Sequence, residues 1–226
     1  MVARGLHDEL QGFAYVVVKG VDGRTHHLTF PDLELTGDAR PRAIVESRSY
    51  QDGAGRRRLS LATRSDLPIE AQSIAPGATW IDRQLLAKDS SLSGGGFGAE
   101  VREAMDRRVD HLVEEGLARR QGERIVFARD LINTLSRRDL EKALSKLSAE
   151  TGIAYRPSAE GERVSGVYRQ RVTLSSDRSA MIDDGMWFQL VPWRPALEQQ
   201  LGRQVGGVMA FGEPRYPNLV TQQSPS

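Results

Sequence analysis

The stretch that decides the fold runs from His111 to Phe127 and reads HLVEEGLARRQGERIVF. It contains the end of a helical pattern, a glycine at position 116, and two short segments that flank Gln121-Gly122-Glu123. A helix that ends at glycine and leads at once into a hairpin with arginine on both arms is the outline of a winged helix. The stretch therefore predicts a winged-helix-like module.

Helical patterns on both sides complete this central module. Residues 99–115 carry apolar side chains at helical spacing, which predicts one buried stripe. Its members are Val101, Ala104, Met105, Val109, Leu112 and Val113. A short helix over residues 79–86 has Thr79 as a plausible N-cap, and residues 130–151 form another amphipathic helix. The winged-helix-like helical domain is thus predicted over residues 76–151.

Strand patterns precede this module. Residues 13–19 are rich in β-branched and aromatic side chains, and Val21-Asp22-Gly23-Arg24 supplies the turn of a hairpin that returns over residues 25–30. A second pair of strands is predicted within residues 43–63. Four short strands with regular turns predict a small β-barrel or sandwich over residues 1–66.

A second small β module with a short helix is predicted over residues 152–209. It contains one long strand (164–174) and a hairpin whose turn is Asp184-Gly185. Residues 210–226 lack periodicity and are expected to be a disordered tail. The predicted fold class is α+β: a β-barrel-like module, a winged-helix-like helical module, and a second β module with a C-terminal helix.

Composition limits the classes of function. The 31 cations and 30 acids give a net charge of +1, so attraction to nucleic acid or to an acidic membrane must come from a local patch. Most of the cations are arginine, which suits bidentate contact with phosphate. The absence of cysteine excludes a disulfide scaffold, a zinc finger and a thiol nucleophile. With no signal-peptide pattern and no apolar run of membrane length, a cytoplasmic location without membrane contact is expected.

Candidate catalytic and metal-binding residues have simpler explanations. His26 and His27 are neighbours on a predicted strand, so their side chains point to opposite faces and do not share a metal. Asp183-Asp184 fits a hairpin turn better than a paired-carboxylate site. The glycine-rich loop Ser90–Gly98 lacks the Lys-Ser/Thr of a phosphate-binding loop and is expected to be mobile. We predict no enzyme activity, no catalytic residue, no metal and no cofactor.

Candidate nucleic-acid-binding residues form three groups. Arg119, Arg120 and Arg124 of the predicted wing are opposed only by Glu123. The helix over residues 99–115 has mixed charge on its solvent face, which argues against insertion into a DNA groove. In the second β module an aromatic side chain beside arginines could stack on bases, although packing in the core is an alternative explanation. The full candidate set is Arg119, Arg120, Arg124, Arg107, Arg108, Arg169, Arg171 and Trp187.

Three blocks of the sequence carry a resemblance to a known family. They are YVVVKGVDGRTHHLTFPDLEL (15–35), GATWIDRQLL (77–86) and GVYRQRVTLSSDRSAMIDDGMWFQLVPWRPALEQQLGRQVGGVM (166–209). Together they resemble the C-terminal half of VirD-type relaxases, the mobilisation nucleases of conjugative plasmids and integrative elements. The resemblance extends over residues 4–209, and the last block is its most specific part.

The resemblance implies a chain without the nicking chemistry of that family. In relaxases an N-terminal nuclease domain nicks one strand at the transfer origin and joins it to a tyrosine, while the C-terminal half has no assigned function. None of the tyrosines of this chain lies in a nuclease motif: Tyr15, Tyr50, Tyr155, Tyr168 and Tyr216. Trp187 stands where relatives have a small residue, and the ending FGEPRYPNLVTQQSPS departs from their basic ending.

The function expected from residues and resemblance together is that of a non-catalytic relaxase region. It would bind DNA near the transfer origin, relaxosome or type IV secretion proteins, or both. Two alternatives stay open. One is a protein–protein adaptor without DNA affinity, which suits the mixed-charge helix. The other is a stand-alone winged-helix transcriptional regulator, although such proteins usually work as dimers and no long dimerising helix is evident.

Overall fold

A computed structural model describes residues 1–6, 13–87, 91–212 and 216–221. The chain forms two compact units, Met1–Arg137 and Arg138–Ser226. The boundary falls inside one continuous helix, Leu131–Thr151. Helices and several small sheets are both present, so the predicted α+β class is confirmed.

Two small sheets form the N-terminal part of the first unit. The antiparallel order is β1-β2-β3 in one sheet and β4-β5 in the other. These strands are β1 (Ala3–Leu6), β2 (Ala14–Lys19), β3 (Thr25–Phe30), β4 (Ile44–Gln51) and β5 (Arg57–Ser65). A 3-10 turn, Glu34–Thr36, lies between β3 and β4, which form no ladder with each other. The prediction for residues 1–66 was a small barrel or sandwich, and the described strands do not close into a barrel.

The helical part of the first unit follows. It consists of α1 (Ile69–Gln72), α2 (Trp80–Ala87), α3 (Gly96–Glu114), β6 (Ala118–Gln121), β7 (Arg124–Phe127) and the start of α4 (Leu131–Thr151). The helix–hairpin–helix order predicted from residues 111–127 is present. The wing hairpin, β6 and β7, packs with α3 and α4 around one apolar cluster that includes Leu112, Leu117 and Leu131.

Both predicted helix caps have the expected geometry. The Thr79 backbone N–H donates to Asp82 Oδ2 at 2.7 Å, and the Asp82 backbone N–H donates to Thr79 Oγ1 at 3.4 Å, a reciprocal capping box. Gly116 ends α3 with φ of 71°. Its N–H donates to the Val113 carbonyl at 3.0 Å, and that of Leu117 donates to the Leu112 carbonyl at 2.8 Å, which is a Schellman motif.

The glycine-rich segment that leads into the first turn of α3 has a packing role. The Ser93 N–H donates to the Val21 carbonyl at 2.9 Å, which ties the segment to the turn between β2 and β3. A Cβ atom at Gly98 would lie 2.5 Å from that same carbonyl oxygen. Residues 91–98 are therefore part of the folded unit, in contrast to the mobile loop predicted there; position 90 lies outside the described residues.

The second unit is built on a six-stranded sheet of order β13-β12-β9-β10-β11-β8. Its strands are β8 (Ala154–Tyr155), β9 (Arg163–Thr173), β10 (Arg178–Asp183), β11 (Trp187–Pro192), β12 (Gln204–Gly212) and β13 (Tyr216–Thr221). Ala180 and Ile182 of the central strand β10 face a cluster that includes Leu197 of the 3-10 helix Pro195–Gln200. Met181 faces the opposite cluster, to which α4 contributes Leu147.

The prediction of a disordered tail over residues 210–226 is wrong for its central part. β12 extends to Gly212 and pairs with β13, with Val208 opposite Val220. The tail has no period of its own, but a strand that adds to an existing edge needs only a short β-prone run such as Leu219-Val220-Thr221. Residues 213–215 and 222–226 of the predicted tail lie outside the described residues. No helix in the described part of the chain is long and apolar enough to cross a membrane.

Candidate nucleic-acid interface

The wing hairpin has one buried face and one solvent face. Arg119 lies opposite Val126 and Gln121 lies opposite Arg124, and side chains two apart on a strand share a face. The other face packs against the helices through Ala118, Ile125 and Phe127. The solvent face therefore carries Arg119 and Arg124 together, as diagonal neighbours across the two strands.

The charge on this solvent face is uncompensated. Arg119 and Arg124 are exposed, and neither makes a side-chain hydrogen bond or ion pair within the part of the chain that the structure describes. Arg120 lies on the other face, and its Nη2 contacts Asp110 Oδ1 of α3 at 2.5 Å. Both partners of that pair are more than half exposed, so the pair contributes little to stability and a competing phosphate could replace the carboxylate.

The solvent face of α3 is acidic. It carries two arginines against five carboxylates: Glu100, Arg102, Glu103, Asp106, Arg107, Asp110 and Glu114. Arg107 Nη1 is paired with Glu103 Oε1 at 2.9 Å, one helical turn away. The acidic face disfavours insertion of α3 into a DNA groove, because phosphate groups repel carboxylates.

The assignment of Arg108 to a nucleic-acid surface is wrong, because its side chain is completely buried. Its Nε and Nη2 donate to the two carboxylate oxygens of Asp82, each at 2.8 Å. Nη1 also donates to the Ala75 carbonyl at 2.6 Å and Nη2 to the Gly77 carbonyl at 2.8 Å. Arg108 therefore ties α3 to the segment that leads into α2, and it is not available to a ligand.

Arginines of the second β module have acidic partners. Arg169 Nε donates to Asp183 Oδ2 at 2.8 Å. Arg171 lies 3.5 Å from Glu198 and 5.1 Å from the ring centre of Trp193. Both arginines therefore contribute to the internal contacts of the second unit, and neither presents the uncompensated charge seen on the wing.

The aromatic pair Trp187-Phe188 alternates as predicted. Phe188 is fully buried, with its ring centre 5.5 Å from that of Tyr155, whereas Trp187 is 39% exposed at the start of β11. The turn before it is centred on Gly185-Met186, one residue later than predicted, since the Asp184 N–H donates to the Trp187 carbonyl at 3.2 Å. Backbone N–H groups of Trp187 and Met186 donate to Asp184 and lower the pKa of that carboxyl.

The described residues offer little for metal or acid–base chemistry. His26 pairs with Asp22, and this hydrogen bond lowers the pKa of Asp22, whereas His27 stacks on Tyr15 on the opposite face of the sheet. No group of three or more histidine, aspartate or glutamate side chains that could hold a metal ion is found among them. A cavity of about 300 Å³ between the two N-terminal sheets is lined mainly by apolar side chains, with His26 and Lys19 among its polar ones.

The search by sequence missed one basic surface, the β4–β5 hairpin. Its five arginines fall within residues 48–64, where the local pattern indicates only two strands and a turn. Strand alternation combined with the register of the pair would have placed several of them on one face.

Comparison with known proteins gives one family. Residues 46–216 match the model of a family described as "Protein of unknown function (DUF3363)". The match begins in β4 and includes both the wing and the second β module. No curated protein and no solved structure matches the chain.

Proposed function

The chain belongs to the DUF3363 family of proteins of unknown function, and we propose that it is a non-catalytic, cytoplasmic DNA-binding region of the relaxase type. Its partners would be duplex DNA near a transfer origin and the proteins of the relaxosome or of a type IV secretion system. Residues 15–35, 77–86 and 166–209 resemble relaxases, and this resemblance supports a role in the mobilisation of plasmids or integrative elements.

One observation carries the DNA half of this proposal. Arg119 and Arg124 lie side by side on the solvent face of the wing, without an acidic partner among the described residues. Free guanidinium groups can each contact a phosphate, and such contacts release counterions from DNA. The acidic face of α3 opposes deep insertion of that helix, so we propose that the wing contacts the sugar–phosphate backbone and reads little sequence.

The test is fluorescence anisotropy with a labelled duplex across a series of salt concentrations. We expect the double variant Arg119→Gln/Arg124→Gln to bind more weakly and its slope of log K against log salt to fall by about 1.8, or about 0.9 for each lost phosphate contact. Arg203→Gln removes an exposed arginine of the second unit and serves as the control. Wild-type affinity in the double variant, or no binding by the wild type at low salt, would reject the proposal.

A second candidate function is favoured by the acidic face of α3. Five carboxylates beside the exposed Val113 suit a basic protein partner better than they suit DNA. An adaptor of this kind would retain its partner when the wing arginines are removed and lose it when Asp106 and Glu114 become Lys. The test is to compare how well the wing variants and the α3 variants capture relaxosome proteins. Loss of capture in the α3 variants alone would favour the adaptor.

A further inference from the structure

The β4–β5 hairpin is a basic element separate from the wing. Residues 44–65 contain five arginines and two carboxylates, a net charge of +3 in a chain whose total is +1. The two strands pair along eight positions, from Ile44 opposite Ser65 to Gln51 opposite Arg57. Positive charge is therefore concentrated on one regular two-stranded ribbon.

The register places aromatic and basic side chains on one face of this ribbon. Tyr50 lies directly opposite Arg58, and Arg48 lies opposite Ser60. Because residues two apart on a strand share a face, Arg48, Tyr50 and Arg58 are neighbours. Leu59 and Leu61 point to the opposite face and pack on the cluster of Ala14, Val16 and Phe30. The basic face therefore points away from the core, with Tyr50 43% exposed.

The two carboxylates of the hairpin each contact two arginines, so they position the guanidinium groups but leave a net positive charge. Asp52 Oδ2 accepts hydrogen bonds from Nε of Arg56 at 3.1 Å and of Arg58 at 3.0 Å. Its Oδ1 accepts from the backbone N–H of Arg56, and this bond lowers the pKa of Asp52. Glu46 likewise contacts both Arg48 and Arg64. Two carboxylates thus hold four guanidinium groups in place.

The contacts leave most guanidinium donors available. Within the described residues, Arg48, Arg56 and Arg58 each use only Nε in their ion pairs. Their terminal amino groups, the fork that matches two phosphate oxygens, remain for a ligand. Because the side chains are already held by Glu46 and Asp52, less conformational entropy is lost when an anion binds.

The exposed ring of Tyr50 indicates which class of nucleic acid would bind to this face. A ring on a strand face flanked by arginines is the arrangement on which single-stranded nucleic acids bind, with bases stacked on the ring and phosphates on the guanidinium groups. In a duplex the faces of the bases are covered by their neighbours. We propose that the β4–β5 hairpin is a second nucleic-acid site, specific for single strands, with Tyr50 as the stacking residue. This site is separate from the duplex contact proposed for the wing and does not depend on it.

The proposal is tested with the full chain and a labelled oligothymidine of about 15 nucleotides, which falls in the size range of such sites. We expect Tyr50→Ala to weaken binding roughly ten-fold and Tyr50→Phe to retain it, because stacking needs the ring and not the hydroxyl. The double variant Arg48→Gln/Arg58→Gln should lower the salt slope by about 1.4, or about 0.7 for each arginine on a single strand. Arg203→Gln is again the control and should bind as wild type does.

Several results would overturn the proposal. Wild-type affinity in Tyr50→Ala, or equal loss in Tyr50→Phe, would remove the stacking role. Tighter binding of a duplex of the same length, weakened by the same ribbon variants, would indicate a β-ribbon in the major groove instead. The wing variant Arg119→Gln/Arg124→Gln should leave oligothymidine binding unchanged. The proposal for the hairpin can therefore be rejected without rejecting the proposal for the wing, and the reverse. Equal thermal melts of the variants establish that the fold is intact.

Discussion

Arg108 and Asp82 form an ion pair in which both side chains are completely buried, with two N–O distances of 2.8 Å. Each partner has further bonds: the carboxylate accepts from the N–H and hydroxyl of Thr79, and the guanidinium donates to two backbone carbonyls. Isolated charges are costly to bury, so each side chain depends on the other. The pair joins the start of α2 to the middle of α3.

Removal of one member of this pair should destabilise the first unit strongly. Arg108→Met would leave the Asp82 carboxylate buried without its counter-ion, and we expect a loss of about 3–5 kcal/mol in the free energy of unfolding. Arg107→Met is the matched control, because its pair with Glu103 is exposed and should contribute less than about 1 kcal/mol. Urea unfolding of both variants gives the comparison, and equal losses would contradict the buried network.

Release of Arg120 should strengthen duplex binding. Asp110→Asn removes the carboxylate that holds Arg120, and we expect the salt slope to become steeper by up to about 0.9 as one more phosphate contact forms. Glu103→Gln removes the same charge but frees Arg107 on α3, so it controls for the change in net charge. Anisotropy at several salt concentrations measures both variants. If Asp110→Asn bound no more tightly than Glu103→Gln, the wing would not be the contact surface.

The turn between β10 and β11 should be sensitive to acid. Backbone N–H groups of Trp187 and Met186 bond to Asp184 and hold its pKa below the ordinary value of 3.8. The pKa of Asp184 is lower in the folded state than in the unfolded state. The stability that its carboxylate contributes is therefore fully present above the unfolded-state pKa and is lost as the pH falls through the folded-state pKa. We expect Asp184→Asn to reduce the fall in Tm between about pH 5 and pH 2. Parallel Tm curves for variant and wild type would contradict this.

Two glycines, one just before α3 and one in its first turn, should respond oppositely to alanine. A Cβ atom at Gly98 would meet the backbone of Val21 and Ser93, and we expect Gly98→Ala to cost about 1–3 kcal/mol despite the better helix propensity of alanine. Gly94 has open space around its Cβ position and no positive φ, so Gly94→Ala should be neutral or slightly stabilising. Thermal unfolding of both variants is the measurement. Similar losses would mean that Gly98 is not packed against the hairpin turn.

The elements of this fold could largely be predicted from local pattern, because caps and periodicity act over a few residues. Thr79 and Gly116 were recognisable as helix boundaries for that reason. Whether an arginine is exposed or is buried in an ion pair depends on partners far along the chain, which no local pattern reveals. Arg107 and Arg108 are neighbours in sequence, yet one is exposed and the other is buried against Asp82, 26 residues away. The signal for Arg108 was its place beside Val109 and Leu112 on the apolar stripe.

The strand pairing of residues 216–221 and the basic face of the β4–β5 hairpin were missed for a related reason. Alternation along one strand shows which side chains share a face, but the register between strands decides which ones meet. Tyr50 and Arg58 become neighbours only once the turn at Asp52 sets that register. Asp52 at the start of that turn is visible in the sequence, but the hydrogen bonds that set the register are not.

The single helix that crosses from one compact unit to the other has a practical consequence for dissecting the protein. Leu131 and Leu135 of α4 belong to the core under the wing, whereas Leu144 and Leu147 belong to the core of the six-stranded sheet. A cut between Arg137 and Arg138 would leave each fragment its own core leucines, but on a helical stub that lacks the hydrogen bonds of the intact helix. Separate expression of the halves therefore requires that residues 131–151 be duplicated, so that each fragment keeps the whole helix.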